Sequence, residues 1–333
     1  MAEIIDFVVL WVDGADPEWQ AQRQAYRPQE SNNGNAQNRY RDWGLMRYWF
    51  RCVERYAPWV NRVWFVTNGQ VPAWLNREHP KLRLISHREY IPEQYLPTFN
   101  SNVIELWLHK IPELSEHFVL FNDDMFLTAP VKPTDFFVNG VPVESALLDQ
   151  AASGSPDDCL PYMLLNNSAV INKHFRKRQV LKENFGKFFS LKYGADLMRN
   201  ILLAPFLYFS TFRDPHLPSA YCKETFAKVW QAEEQWLERC SSNRFRSKTD
   251  LTHWLMKAWQ FCEGNFRARP TNWGRHYELW EDDIDRICSA LMTQKYRTIC
   301  LNDSKTDIDF PLLQRKLNTA FLQIFPNPSG FER

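Results

Sequence analysis

No glycine-rich nucleotide loop of the Walker or G-x-G-x-x-G kind occurs in this 333-residue chain, which counts against P-loop kinases and dinucleotide-dependent dehydrogenases. No C-x-x-C pair occurs either, and the 7 Cys are scattered and odd in number. A structural zinc site or a disulfide framework is therefore not expected, and a reducing cytosol is the simplest compartment. No uninterrupted apolar run approaches roughly 18 residues, so no membrane span is expected. Residues 4–12 are too short for a signal peptide, are interrupted by Asp6 and lack a basic lead. Charge of one sign is missing too: 40 Lys and Arg face 39 Asp and Glu, which argues against a global nucleic-acid-binding face and leaves room for local basic clusters. Internal repeats and low-complexity linkers are absent.

What is present is apolar and aromatic. Hydrophobic residues make up 44% and aromatics 15% of the chain, with 14 Trp, enough for a large core in one elaborated domain or two lobes. The stretch around which the rest is organised is His117-Phe118-Val119-Leu120-Phe121-Asn122-Asp123-Asp124-Met125-Phe126-Leu127. Its continuous apolar run reads as a strand covered on both faces. Two adjacent carboxylates at the end of such a strand repel each other and need a partner; a divalent cation is one, a solvated turn the plainer alternative.

Residues 4–12 read as a central strand running into the polar turn Asp13-Gly14-Ala15-Asp16-Pro17. That turn is either a ligand edge at a strand's carboxyl end or an ordinary turn with Asp16 capping the next helix. Residues 31–35 read as a flexible loop. Residues 42–57 show helical spacing (Leu45, Trp49, Val53, Tyr56) stopped by Pro58, with Arg39, Arg41, Arg47 and Arg51 on or before the polar face. Strands are expected at 62–67 and 82–86. A helix is expected at 103–111, capped by Ser101 or Asn102. Strands alternating with helices through residue 130 give an α/β, Rossmann-like lobe.

Further on, strands are expected at 141–148, 169–171 and 298–301, and helices at 223–239, 250–262 and 312–324. Ser247-Lys248-Thr249-Asp250 is read as a capping box for the second of these helices. Asp214-Pro215-His216-Leu217-Pro218 fixes a histidine, the side chain best poised for proton transfer near neutral pH, between two prolines. Asn243-Arg244-Phe245-Arg246-Ser247 sets two guanidinium groups around an inward Phe, able to clamp phosphate or simply to pair with surface acids. A metal pair, a histidine base and an arginine clamp are together what phosphoryl transfer requires.

Several ordered blocks resemble the Stealth proteins, bacterial capsular-polysaccharide hexose-1-phosphate transferases related to the animal lysosomal-enzyme GlcNAc-1-phosphotransferase. The blocks are 5–16 (IDFVVLWVDGAD), 56–60 (YAPWV), 65–75 (FVTNGQVPAWL), 96–101 (LPTFNS) and 121–124 (FNDD), then weaker ones at His216-Leu217-Pro218, Arg244–Ser247 and Ile299–Asp303. Asp13 stands where the family often has Asn, and Asn102 where many bacterial members have His. The resemblance implies an α/β, Rossmann-like (GT-A-like) mixed sheet flanked by helices, with a helix-rich aromatic accessory region. It divides the chain into a nucleotide-sugar lobe at 1–172, an acceptor region at 173–295 and a returning strand and helix at 296–333.

It also implies transfer of a sugar-1-phosphate, GlcNAc-1-phosphate above all, from a UDP-sugar to an acceptor glycan hydroxyl, with release of UMP. Asp123 and Asp124 would hold Mg²⁺ or Mn²⁺, His216 would take the acceptor proton, and Arg246 would neutralise the phosphate with Arg47 and Arg244 as helpers. Asp13, Gly14 and Asp16 would line the nucleotide edge, and Asn100, Asn302 and Asp303 would complete the donor pocket. The partners implied are the UDP-sugar, a capsular oligosaccharide and, peripherally, a membrane capsule-assembly complex, with the protein cytoplasmic or peripheral at the inner membrane. The alternatives are a metal-dependent GT-A-type glycosyltransferase releasing UDP, or a non-catalytic glycan-binding protein.

Overall fold

The buried apolar run of residues 5–10 becomes β1 (Ile5–Leu10), the centre of a five-stranded sheet. The computed structural model describes residues 3–27, 35–280, 282–305 and 307–333; most of the expected 31–35 loop lies outside them. β1 pairs in parallel with β2 (Val63–Thr67) on one side and β4 (His117–Phe121) on the other, and β3 (Leu82–Ser86) continues beyond β2 in the same direction. The strand Ser219–Cys222 closes the other edge antiparallel to β4. A second sheet pairs Gly274–Glu278 in parallel with Thr298–Asn302, which runs antiparallel to β5 (Met125–Leu127). The stretch expected to be accessory thus contributes one strand to each sheet.

Both faces of the large sheet are covered, which is why its strands read as unbroken apolar runs. On one face Phe7, Val9, Phe65 and Phe121 pack under helix α2 (Met46–Tyr56) and the C-terminal helix Phe310–Ile324. On the other, Val8, Trp64, Phe118 and Leu120 pack under the helices Lys223–Ser241 and Trp254–Cys262. Asp6, the polar interruption, is fully buried. Its carboxylate accepts hydrogen bonds from Asn61 Nδ2, the Arg62 and Ser115 amides and Trp64 Nε1, so the charge is met by four donors rather than left bare.

Some expectations are corrected. Residues 169–171 belong not to a strand but to a helix, Leu160–His174, because Met163, Asn167, Val170 and Ile171 recur at helical spacing on its buried side. The helix expected at 103–111 runs Ser101–Leu106 and is capped by Asn100, whose side chain accepts from the Asn102 amide. Ser247–Asp250 caps no helix; the helix begins at Trp254, and Asp250 is drawn into a buried network instead. Among the described residues no helix is long and apolar enough to cross a membrane, and no disulfide is formed.

Candidate active site

The carboxyl ends of β1, β2 and β4 open on a cleft of about 810 Å³, the edge where ligands sit in open α/β sheets. The acidic pair occupies its floor because β4 must turn into β5 there: the Met125 amide bonds the Asn122 carbonyl, and the Leu301 amide bonds the Asp124 carbonyl. The Thr298–Asn302 strand is registered so that Cys300 opposes Met125, and its parallel neighbour sets His276 beside Cys300 and Glu278 beside Asn302. Asp124 Oδ2 lies 3.7 Å from His216 Nε2 and 3.3 Å from Cys300 Sγ. Ligand atoms of these three residues all fall within 4.8 Å of one another.

Electrostatics separate the two carboxylates. Asp123 is open to the cleft but walled by protein; that surrounding, then Asp124 and Asp42, pushes its carboxyl up to about 8. Burial acts the same way on Asp124, but hydrogen bonding and charge from His216 prevail and hold it below the usual range. The reciprocal effect raises His216: burial lowers its pKa, and Asp124, Asp214 and Glu105 outweigh that. His216 has a φ of 50°, a left-handed conformation that costs a non-glycine residue about 1 kcal/mol or more and is concentrated at functional sites. Proline on either side of the His216-Leu217 pair stiffens the segment.

Donors and cations line the facing wall. Arg246 Nη2 donates to Ser101 Oγ at 2.6 Å. Arg39 also opens on the cleft; burial and then Arg246 lower its pKa, opposed by Glu278, Asp124 and Asp303. Glu278 would be raised by burial, but His276, Ser304 and Asn302 hydrogen-bond it and hold it at about 2. Asp303 accepts from Trp43 Nε1 and pairs with Arg41, leaving its buried Oδ1 without a hydrogen-bond partner. Glu105, buried behind His216, is pushed up to about 7, chiefly by burial.

The sequence-derived candidates divide accordingly. Asp123, Asp124, His216, Arg246, Asn302 and Asp303 line one cleft. The others stand behind or beside it. Asp16 caps α1 (Pro17–Tyr26) through the Glu18 and Trp19 amides and accepts from Gln70. The Asp13 amide donates to Gln70 Oε1, and Asp13 Oδ1 accepts from Ala15. Gly14 is required by close approach: a Cβ there would lie 1.8 Å from the Tyr40 carbonyl oxygen. Asn100 donates to Asp250 and to the Asn243 carbonyl. Arg244 lies over the Tyr26 ring and Arg47 over Trp74. Arg51 is committed to a buried pair with Glu332. Beyond these candidates, Trp254 also lines the cleft, whereas Trp259 is buried against Phe175 and Trp273 packs on Phe136. Glu105, Asp42, Asp214, His276 and Glu278 were missed. For His276 and Glu278 no local signal existed: Gly274-Arg275-His276-Tyr277-Glu278 lacks apolar alternation, and its pairing with Thr298–Asn302 places both side chains.

Together the mixed sheet and this charge-rich cleft define an α/β protein with a ligand site at the carboxyl edge of its strands. Residues 39–143 match Stealth protein CR2, conserved region 2, and residues 4–31 match Stealth protein CR1, conserved region 1. The chain is 42% identical to a capsular polysaccharide phosphotransferase WcwK of Streptococcus pneumoniae, over 99% of this chain and 98% of that one. It is 40% identical to the exopolysaccharide phosphotransferase cps2G of Lactiplantibacillus plantarum, over 99% and 96%, and 39% identical to the receptor polysaccharide phosphotransferase WefC of Streptococcus gordonii, over the whole of both. Among solved structures, the galactosyltransferase LgtC with donor and acceptor sugar analogs aligns with a TM-score of 0.44 and 10% identity, covering 98% of each chain. The chain belongs to the Stealth family of capsular polysaccharide phosphotransferases.

Proposed function

We propose that this chain transfers a sugar-1-phosphate, with GlcNAc-1-phosphate as the leading choice, from a UDP-sugar to a hydroxyl of a capsular oligosaccharide. One observation carries the reading: His216 stands 3.7 Å from Asp124, on the same cleft as Arg246 and Arg39. A proton acceptor, a pair of carboxylates and two guanidinium groups thereby share one space. The acceptor oxygen bonds to the β-phosphorus as the bond from that phosphorus to the bridging oxygen breaks; UMP departs, and the hydroxyl proton passes to His216 Nε2. Arg246, oriented by Ser101, and Arg39 would face the phosphoryl oxygens where negative charge gathers.

The residues fit a divalent cation. Asp124 Oδ1 is buried with no hydrogen-bond partner, and Asp123 offers a second carboxylate open to the cleft, hard oxygen donors suited to Mg²⁺ or Mn²⁺. Cys300 fits less well, because burial and Asp124 keep its thiol protonated. Asp123 and Asp124 would hold such an ion, which would supply neutralising charge for the diphosphate and weaken the Asp124 attraction that raises the His216 pKa. The test is transfer of a β-phosphorus label from UDP-GlcNAc to oligosaccharide. Label recovered in a phosphodiester supports the reading; glycan that gains the sugar without the label refutes it.

A further inference from the structure

Of the seventeen large hydrophobic side chains standing exposed among the described residues, eight lie within residues 185–208. This concentration is built, not frayed. In the helix Leu197–Leu203, Met198, Ile201 and Leu202 point outward while Asn200 is fully buried. That reverses the usual amphipathic arrangement. Asn200 accepts from the Leu148 amide and donates to the Ala146 and Phe188 carbonyls. The following turn holds Phe206, Leu207 and Tyr208 out at 58%, 60% and 60% exposure. It is anchored by Lys177 Nζ on the Leu203 and Tyr208 carbonyls and by Asn172, which both donates to and accepts from the Phe209 backbone. A polar scaffold thus presents apolar side chains to solvent, the mark of an interaction surface.

Charge identifies the occupant. Residues 173–208 carry eight Lys and Arg against two acids, whereas the whole chain has 40 against 39. Arg176, Arg178, Lys182 and Lys192 are exposed. We propose that residues 173–208 dock this protein on an anionic lipid surface, with Leu202, Phe206 and Leu207 entering the headgroup boundary and the cations meeting lipid phosphates. Apolar side chains bordered by Lys and Arg are what an interfacially bound protein requires, and Tyr208 suits the wet edge of such a layer. The surface is tied to the cleft rim: Arg199 pairs with Asp149, and Asp196 with Arg213, at 2.5 and 2.7 Å, and Asp149 and Arg213 both line the cleft. Docking therefore holds the cleft mouth near the lipid. The proposal does not depend on the sugar-phosphate chemistry.

The test is co-sedimentation of the full chain with vesicles of phosphatidylglycerol and phosphatidylcholine, against phosphatidylcholine alone. The wild type is expected to pellet with the anionic vesicles. Leu202→Ser with Phe206→Ser and Leu207→Ser, and separately Arg176→Glu with Arg178→Glu, should each weaken partitioning roughly tenfold or more. These side chains are exposed, so near-ultraviolet circular dichroism should be unchanged. Wild-type protein left in the supernatant, or variants that pellet equally, would overturn the proposal. So would a solution dimer that the triple substitution dissociates, which would make the occupant a second copy of the chain.

Discussion

Asp250 is the acceptor on which the start of the Ser101–Leu106 helix and the 243–247 loop converge, and replacing it with alanine should loosen both. Its fully buried carboxylate takes hydrogen bonds from Asn100 Nδ2 at 2.8 Å, Asn102 Nδ2 at 3.2 Å, the Ser247 amide at 3.0 Å and Asn243 Nδ2 at 2.7 Å. At roughly 1–1.5 kcal/mol each, four such bonds contribute about 4–6 kcal/mol. Burial works against them: it outweighs the four donors and keeps the carboxyl above its usual range, so removing the group also relieves a desolvation cost. The net loss for Asp250→Ala is therefore about 3 kcal/mol. Asp250→Asn keeps one oxygen for three donors but turns an amide toward Asn243, a loss of about 1–2 kcal/mol. Urea unfolding followed by tryptophan fluorescence measures both. Because Arg246 lies on the loop between Asn243 and Asp250, Asp250→Ala should also raise KM for the donor. A variant within about 1 kcal/mol of wild type, or an asparagine worse than the alanine, would refute the reasoning.

His216→Ala should reduce kcat by ~100-fold or more if the imidazole takes the acceptor proton; single-turnover kinetics would show near-normal chemistry if it does not. Magnesium should raise the melting temperature of wild type and of Cys300→Ala but not of Asp124→Asn, since the ligands proposed are carboxylates; thermal shift with and without EDTA separates the two. Glu105 has a folded pKa of about 7, above its ordinary 4.5. The folded state thus holds this proton more tightly than the unfolded, giving stability that is complete below pH 4.5 and lost as pH rises to about 7. Glu105→Gln, which keeps no titrating group, should gain on wild type by about 3 kcal/mol between about pH 4.5 and 8. A difference that stays flat across that range would contradict the assignment.

The large sheet was legible because its strands are buried on both faces and bounded by polar turns, so β1, β2, β3 and β4 all stand where their apolar runs predict. The acidic pair was legible for the same reason: two carboxylates end an otherwise apolar strand. What local pattern misjudged was tertiary. Ser247–Asp250 has the spacing of a capping box, yet Asp250 finds more donors in Asn100, Asn102 and Asn243, the first two at the start of the Ser101–Leu106 helix, 150 and 148 residues distant in sequence. Asp13, Gly14 and Asp16 stand at the carboxyl end of β1 as read, and what the sequence did not show is that Gln70 and the Tyr40 backbone order this turn. Glu105 escaped notice because a single acid inside an apolar helix carries no spacing signal; its meaning comes from His216, Arg246 and Asp214, brought to it by the fold.

The reaction itself is tested most directly by the nucleotide released when the protein is incubated with UDP-GlcNAc, Mg²⁺ and capsule oligosaccharide, with and without EDTA. Metal- and acceptor-dependent UMP, resolved by chromatography, is the predicted product, because attack at the β-phosphorus leaves both the β-phosphate and the sugar on the acceptor. Release of UDP would mean that the sugar–oxygen bond had broken instead, and would contradict the proposed roles of His216, Arg246 and the aspartate pair.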